Sequence, residues 1–443
     1  MQKTIKTLIF IAIAMVMSVF AQAETLSPQK GVVRIKLQSE VATQVGTREV
    51  KALNGRLSTG VRTLDAVNRR VKAVRMRRVF PYSEKFESRM AAYGLDRWYE
   101  VTFDETMNPE EVRTMYSQAA GVQKATCKVP MTLRENSTFR RVESTSVERD
   151  ATLPFNDPRL SSQWHYNNTG AVSGSRAGAD INLFEAWKTT TGKKNVIVAI
   201  IDGGIDYTHE DLAANVLINE AELNGTPGVD DDGNGYVDDV YGWNFCTNGN
   251  DVYPHDHGTH VAGTVAAVNN NGKGVCGVAG GDGTPGSGVS LLSAQVFDSR
   301  SGSGQGDFAA AIVYAANRGA SIANCSWGWA LDGYYEQDVL DAIDYFVGTK
   351  ADVEGDDINK AQRNLAGGVM FFATGNDGVT GNFYPACYPS VVAVGSMTND
   401  YTIAPYSNYG EWVDIVAPGG LVTYGSAGGV LSTLPGAHEW NGL

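Results

Sequence analysis

The sequence predicts an α/β protein: a doubly wound, mostly parallel sheet with helices on both faces, preceded by a small α+β domain. Three observations carry this reading. Beyond residue 180, continuous apolar runs ("NVIVAIID", "VSLLSAQVF", "ASIANCSW", "GVMFFATGN", "SVVAVGS") alternate with helical stretches such as "DFAAAIVYAANRGA". Apolar strands of this kind between amphipathic helices indicate a parallel sheet covered on both sides. Second, the net charge of −13 is unevenly divided. Residues 24–150 hold 23 Lys+Arg against 16 Asp+Glu, a net of +7, whereas residues 151–443 hold 11 against 33, a net of −22. Opposite signs suggest two domains that bind each other. Third, the basic domain mixes single strands and helices, as in "GVVRIK" and "RWYEVTFDE".

Taken in order, residues 1–23 have the pattern of an export signal. Lys3 and Lys6 precede the apolar run "TLIFIAIAMVMSVF", and "AQA" ends at Ala23 with small residues at the cleavage positions. The run is about 14 residues long, short of the roughly 20 that span a bilayer. No later segment is long and apolar enough to cross, so the expected location is secreted, extracellular or periplasmic.

Residues 24–150 form the expected α+β domain and its linker. "GVVRIK" reads as a strand, "VNRRVKAVRMRRVF" as solvated helix or loop, and "RWYEVTFDE" as a half-buried strand by its alternation. In "NPEEVRTMYSQAAG", Asn108, Pro109 and two glutamates start a helix and Gly121 stops it. The polar, aperiodic stretch before Phe155 is a linker open to cleavage. Basic and acidic residues interleave throughout, which argues against a nucleic-acid-binding arm. Five scattered cysteines (Cys127, Cys246, Cys276, Cys325, Cys387), with no CxxC spacing, give neither a disulfide scaffold nor a zinc site.

Residues 151–443 hold the candidate chemistry, which in parallel sheets gathers beyond the carboxyl ends of the strands. Asp202 ends the buried run "AIIDGGID", where a carboxylate needs a charged or hydrogen-bonding partner. "HDHGTHVAG" places His255, His257 and His260 within six residues, with Val261, Val265 and Val268 following at helical spacing. Read as HxHxxH, the three could ligate a metal. Read singly, His257 is a general base at a helix start. Asn376 follows the strand "GVMFFATGN", so its amide can donate toward a developing oxyanion.

"VIVAIIDGGIDYTHEDL", "HGTHVAGTVAA", "NCSWG", "FFATGNDG" and "STLPG" resemble, in order, the sequence blocks of the subtilisin-like serine peptidases across residues 155–443. The Asp, His, Ser order is that family's. The resemblance implies that Asp202 orients an imidazole, His257 is the general base and acid, and Asn376 lines an oxyanion hole. It implies that Ser326, Trp327 and Gly328 pair with substrate backbone, with Ser303 and Gly304 on the opposite wall. Trp327 stands where the family usually has a smaller residue. By the same resemblance residues 24–150 are a propeptide, both chaperone and intramolecular inhibitor, and the substrates are proteins or peptides.

"DDDGNGYVDD" has the opening spacing of a calcium loop, with Asp230, Asp232, Asn234, Tyr236 and Asp238 as candidate ligands. Its twelfth position is Tyr241 rather than Glu, so Asp238 or Asp239 would have to substitute; a structural Ca2+ is expected. The family's "GTSMA"-like nucleophile block does not follow "LSTLPGAHEWNGL", and no GxSxG occurs elsewhere. The expectation is therefore a peptidase piece that lacks its serine and is inactive as it stands, with exposed apolar strand faces. The alternatives are a non-catalytic peptide-binding protein and a metal-dependent hydrolase using His255, His257 and His260.

Overall fold

The computed structural model describes residues 27–133, 152–298, 304–348, 367–422 and 426–436. The expected signal segment and most of the linker lie outside these residues. The described chain divides into two compact units. Residues 27–79, 96–132 and 329–331 form the first, and the rest, including residues 80–95, form the second.

The first unit is a five-stranded antiparallel sheet in the order Val50–Lys51, Arg75–Arg78, Trp98–Thr102, Val32–Leu37, Val122–Cys127. Val33, Ile35 and Leu37 point to one side of their strand and are fully buried with Leu64, Met76, Val101, Val112 and Tyr116. The expected helix runs Pro109–Ser117, with the Asn108 side chain accepting from the Glu110 amide at 2.9 Å.

One expectation is corrected here. "VNRRVKAVRMRRVF" is not solvated throughout: Arg75–Arg78 is an internal strand. Met76 alternates inward, and Arg77 pairs across the sheet with Glu100 at 2.8 Å. Arg34, also buried, reaches Glu100 at 3.3 Å. Burial would raise the Glu100 carboxyl, but the charges of Lys128, Arg34 and Arg77 outweigh it and hold it well below the usual carboxylate range. A basic strand is tolerated because acids on other segments pair with it, Glu100 with Arg77 and Glu49 with Arg75.

The second unit is built on an eight-stranded sheet. Its main path is Gly304–Gln305, Ser290–Asp298, Ile197–Gly203, Ile322–Cys325, Val369–Ala373, Val392–Met397, Ile415–Pro418, and Gly242–Asn244 also pairs with Ser290–Asp298. Only the Gly304–Gln305 pairing is antiparallel. The fold is thus the predicted doubly wound α/β arrangement, preceded by a small α+β unit. Helices Phe308–Asn317 and Gln337–Val347 pack on each other and on the sheet, and the helix Asp256–Ala266 packs on Ile197–Gly203. Every residue of Phe308–Asn317 is buried, so this helix is enclosed all round rather than on one face.

Cover is uneven across the sheet. Ser290–Asp298 is buried at all nine positions, whereas Val369, Phe371, Val392 and Val394 are only half-buried. Ile415 and Val416, on the edge strand, are exposed. Among the described residues no helix is long and apolar enough to cross a membrane.

Candidate active site

Asp202 lies at the carboxyl end of Ile197–Gly203 and is fully buried. Its Oδ1 is 2.7 Å from His257 Nδ1 and also accepts from the Gly203 amide at 2.6 Å. An ionised carboxylate can only accept, which assigns the proton to Nδ1 and leaves the lone pair on Nε2. Cys325 is buried nearby. Burial and then the charge of Asp202 push its thiol well up, so it stays neutral beside the carboxylate.

His257 is the second residue of the helix Asp256–Ala266. The helix end can approach the aspartate strand because Gly258 has no side chain: an added Cβ would overlap the Gly203 carbonyl oxygen. The sequence "HGTH" thus supplies both the imidazole and the space that lets it reach Asp202.

The three histidines do not converge. His255 is the N-cap, its Nδ1 accepting from the His257 amide at 3.2 Å. His260 turns to the Val430 carbonyl, Nε2 at 3.1 Å. Burial and the neighbouring His257 lower the His260 pKa to about 4, so it is neutral near pH 7. Rings bonded to three different partners do not make the HxHxxH metal site that the spacing allowed.

His260 lines a cavity of about 330 Å³ with Asn324, Ser326, Gly375 and Asn376. Asn376 is half-buried, just beyond the strand Val369–Ala373, and Gly375 before it has φ +118°, which redirects the chain into the cavity. Asn324 Nδ2 donates to Ser326 Oγ at 3.1 Å. Trp327–Gly328 forms a short strand, and Trp327 is wholly buried, its indole donating to the Ile201 carbonyl at 2.7 Å. Gly304 pairs with Asp298 in the sheet, while Ser303 lies outside the described residues. Ser432 Oγ donates to the His260 carbonyl at 2.7 Å, which commits that hydroxyl to the helix backbone.

The acidic loop is tightly wound. Asp230 accepts from the amides of Asn234 (3.1 Å) and Gly235 (2.8 Å), Asp232 from Asn234 (3.0 Å), and Asn234 Oδ1 from Tyr236 (2.7 Å). The Tyr236 ring is buried against Trp243, Phe245 and Tyr314. Asp238 turns outward to the Gly228 amide at 2.8 Å. The carboxylates that come together are Glu222, Asp232 and Asp239, with ligand atoms within 4.8 Å of one another. Arg318 reaches Asp232 at 3.0 Å and Asp239 at 3.7 Å. Burial raises the Asp239 pKa to about 6 despite Arg318. Glu222 and Arg318 lie outside the DxDxNG spacing, and nothing in the local sequence marks them. An all-oxygen donor set suits a hard cation such as calcium.

A sequence profile of the Subtilase family matches residues 193–441, and one for the N-terminal region of that family matches residues 33–170. The chain is 31% identical over 331 residues to a thermophilic serine proteinase of Bacillus sp. (strain AK1), covering 72% of this chain and 68% of that one. It is 32% identical over 320 residues to halolysin of Haloferax mediterranei, covering 70% and 51%. It is 31% identical over 250 residues to a halolysin-like extracellular serine protease of Natrialba magadii, covering 56% and 38%. The chain therefore spans about two thirds of the first relative, about half of the second and 38% of the third. Among solved structures, fervidolysin of Fervidobacterium pennivorans, a keratinolytic enzyme related to subtilisin, aligns with a TM-score of 0.56. It does so at 19% identity, over 94% of this chain and 52% of that one, and shares the fold.

Proposed function

Because this chain belongs to the subtilase family of serine peptidases, we propose that it is the Asp–His portion of a secreted serine endopeptidase made as a zymogen. The observation that carries the reading is the buried hydrogen bond of Asp202 to His257 Nδ1 at 2.7 Å. In that geometry His257 Nε2 takes the proton of a nucleophilic hydroxyl, the imidazolium is stabilised by Asp202, and the proton passes on to the leaving amine. Asn376, on the cavity wall with Ser326, supplies an amide donor for the oxyanion. An extended peptide would pair with Ser326–Gly328.

The proposed nucleophile is a serine of the family's "GTSMA"-like block, which the 443 residues do not contain. With base and orienting acid alone, the chain as given should not hydrolyse peptide bonds at an enzymatic rate. The alternative reading is a peptide-binding protein that keeps the fold without catalysis. Expression of the chain as given, and with any coding sequence that follows Leu443, separates the two in a casein assay. Hydrolysis by the longer form only, blocked by a serine-directed fluorophosphonate and insensitive to zinc chelators, is expected. Hydrolysis by the 443-residue chain that survives Ser432→Ala and Ser426→Ala would overturn the triad.

Residues 24–150 are proposed as the propeptide, held to the acidic remainder partly by their opposite charge. Export is supported by the signal-like residues 1–23 and by the extracellular relative. A structural calcium is proposed at Asp230, Asp232 and Asn234, with the Tyr236 carbonyl, with Asp239 rather than Asp238 of the two acids the spacing offered, and with Glu222 from outside the loop. The ion would rigidify the loop.

A further inference from the structure

The parallel ladder between Ile197–Gly203 and Ile322–Cys325 stops at the pair Asn324↔Ile200. On its other side the aspartate strand continues to be paired, Ile201 with Ala294 and Asp202 with Gln295. The two strands thus diverge just ahead of Asp202. Divergence leaves the Ile201 carbonyl without a ladder partner in a buried place, where an unmade hydrogen bond is costly. The indole N–H of Trp327 fills that place at 2.7 Å.

Trp327 is well held. Its ring is wholly buried, edge-on to Phe372 with centroids 5.0 Å apart and tilted against Phe308 at 4.6 Å. Its neighbours in the chain, Ser326 and Gly328, belong to the segment proposed to pair with substrate, and Ser326 lines the cavity. One side chain therefore joins the substrate-pairing segment to the carbonyl that immediately precedes Asp202. A smaller aliphatic residue at this position would have no donor to offer.

We propose that Trp327 is a positioning residue: through the Ile201 carbonyl, its indole N–H fixes the Ser326–Gly328 segment against the strand that aims Asp202 at His257. The large residue at 327 then acts by register rather than by shaping the cleft. This inference rests on the reading of Asp202 and His257 as the catalytic pair, but it needs no nucleophile.

The test follows the His257 Nδ1–H signal and the His257 titration midpoint by NMR of the full chain with labelled histidine. Asp202→Asn comes first, and loss of the signal with a lowered midpoint establishes the pair. Trp327→Phe, which keeps a ring and drops the donor, is expected to shift the signal, speed its exchange with water and move the midpoint in the Asp202→Asn direction. Benzothienylalanine at 327 keeps the bicyclic shape without the N–H and decides the matter if the Phe variant does not fold. An unchanged signal and midpoint in the analogue, with Asp202→Asn effective, overturns the inference and leaves the catalytic pair standing. A His257 signal indifferent to Asp202→Asn overturns the pair and the inference together.

Discussion

Gly258 sits against Gly203, so close that a single added methyl would overlap the Gly203 carbonyl oxygen, and this contact sets the 2.7 Å hydrogen bond between Asp202 and His257. The helix end and the strand end meet backbone to backbone. Gly258→Ala must therefore push the helix away from the aspartate. The expected cost is about 1–3 kcal/mol in stability, as for overpacking elsewhere, together with a weakened His257 Nδ1–H signal. Chemical denaturation and NMR measure the two effects, and an Ala variant with native stability and an unshifted signal would show that the close approach is not needed.

The pH dependence of stability should report two histidines, the buried His165 and the half-buried His260. Burial, and then the neighbouring His260, lower the His165 pKa to about 3, while His260 itself lies at about 4. Among the described residues neither ring nitrogen of His165 has a hydrogen-bond partner, and the ring packs against Tyr166 and Trp164. Both groups are neutral in the folded state, whereas the unfolded chain takes up protons near pH 6.5. Their contribution is therefore fully present above about pH 6.5 and is lost as pH falls toward 4 and 3, by up to about 1.4 kcal/mol per pH unit for each group. His165→Phe should remove one proton's worth of that slope between pH 6 and 4. Urea midpoints across that range would show it, and an unaltered slope would mean that His165 is protonated in the fold.

Calcium should raise the melting temperature. At a hundredfold excess over Kd the expected gain is about 2.7 kcal/mol, or several degrees for a unit of this size. Asp232→Ala should abolish the difference between chelated and calcium-loaded melts while leaving a cooperative transition. Equal melts of the unsubstituted protein in chelator and in calcium would leave the acidic cluster compensated by Arg318 rather than by an ion.

Processing is expected between Cys127 and Phe155. N-terminal sequencing of the secreted protein should find a start in that window, and a start near residue 24 would count against a propeptide. The released basic piece should bind the acidic remainder more weakly as salt rises, since screening weakens charge-guided association.

Local pattern determined much of this protein. The apolar runs marked the strands of the main sheet, Asn108 and Pro109 marked a helix start, and "HGTH" marked a histidine at the head of a buried helix. These features are legible because strand and helix periodicity is written in adjacent residues. The tertiary structure alone decided which groups meet. Arg34 finds Glu100 across 66 residues, Arg318 finds Asp232 across 86, and Trp327 finds the Ile201 carbonyl across 126. A charged or polar side chain reads as solvated until a distant partner neutralises it. For that reason the Arg75–Arg78 strand, the Glu222–Arg318 cluster and the inward turn of Trp327 had no local signature. Spacing along the chain offers candidate ligands and bases, but the burial and partners that give them a role are set where distant segments pack.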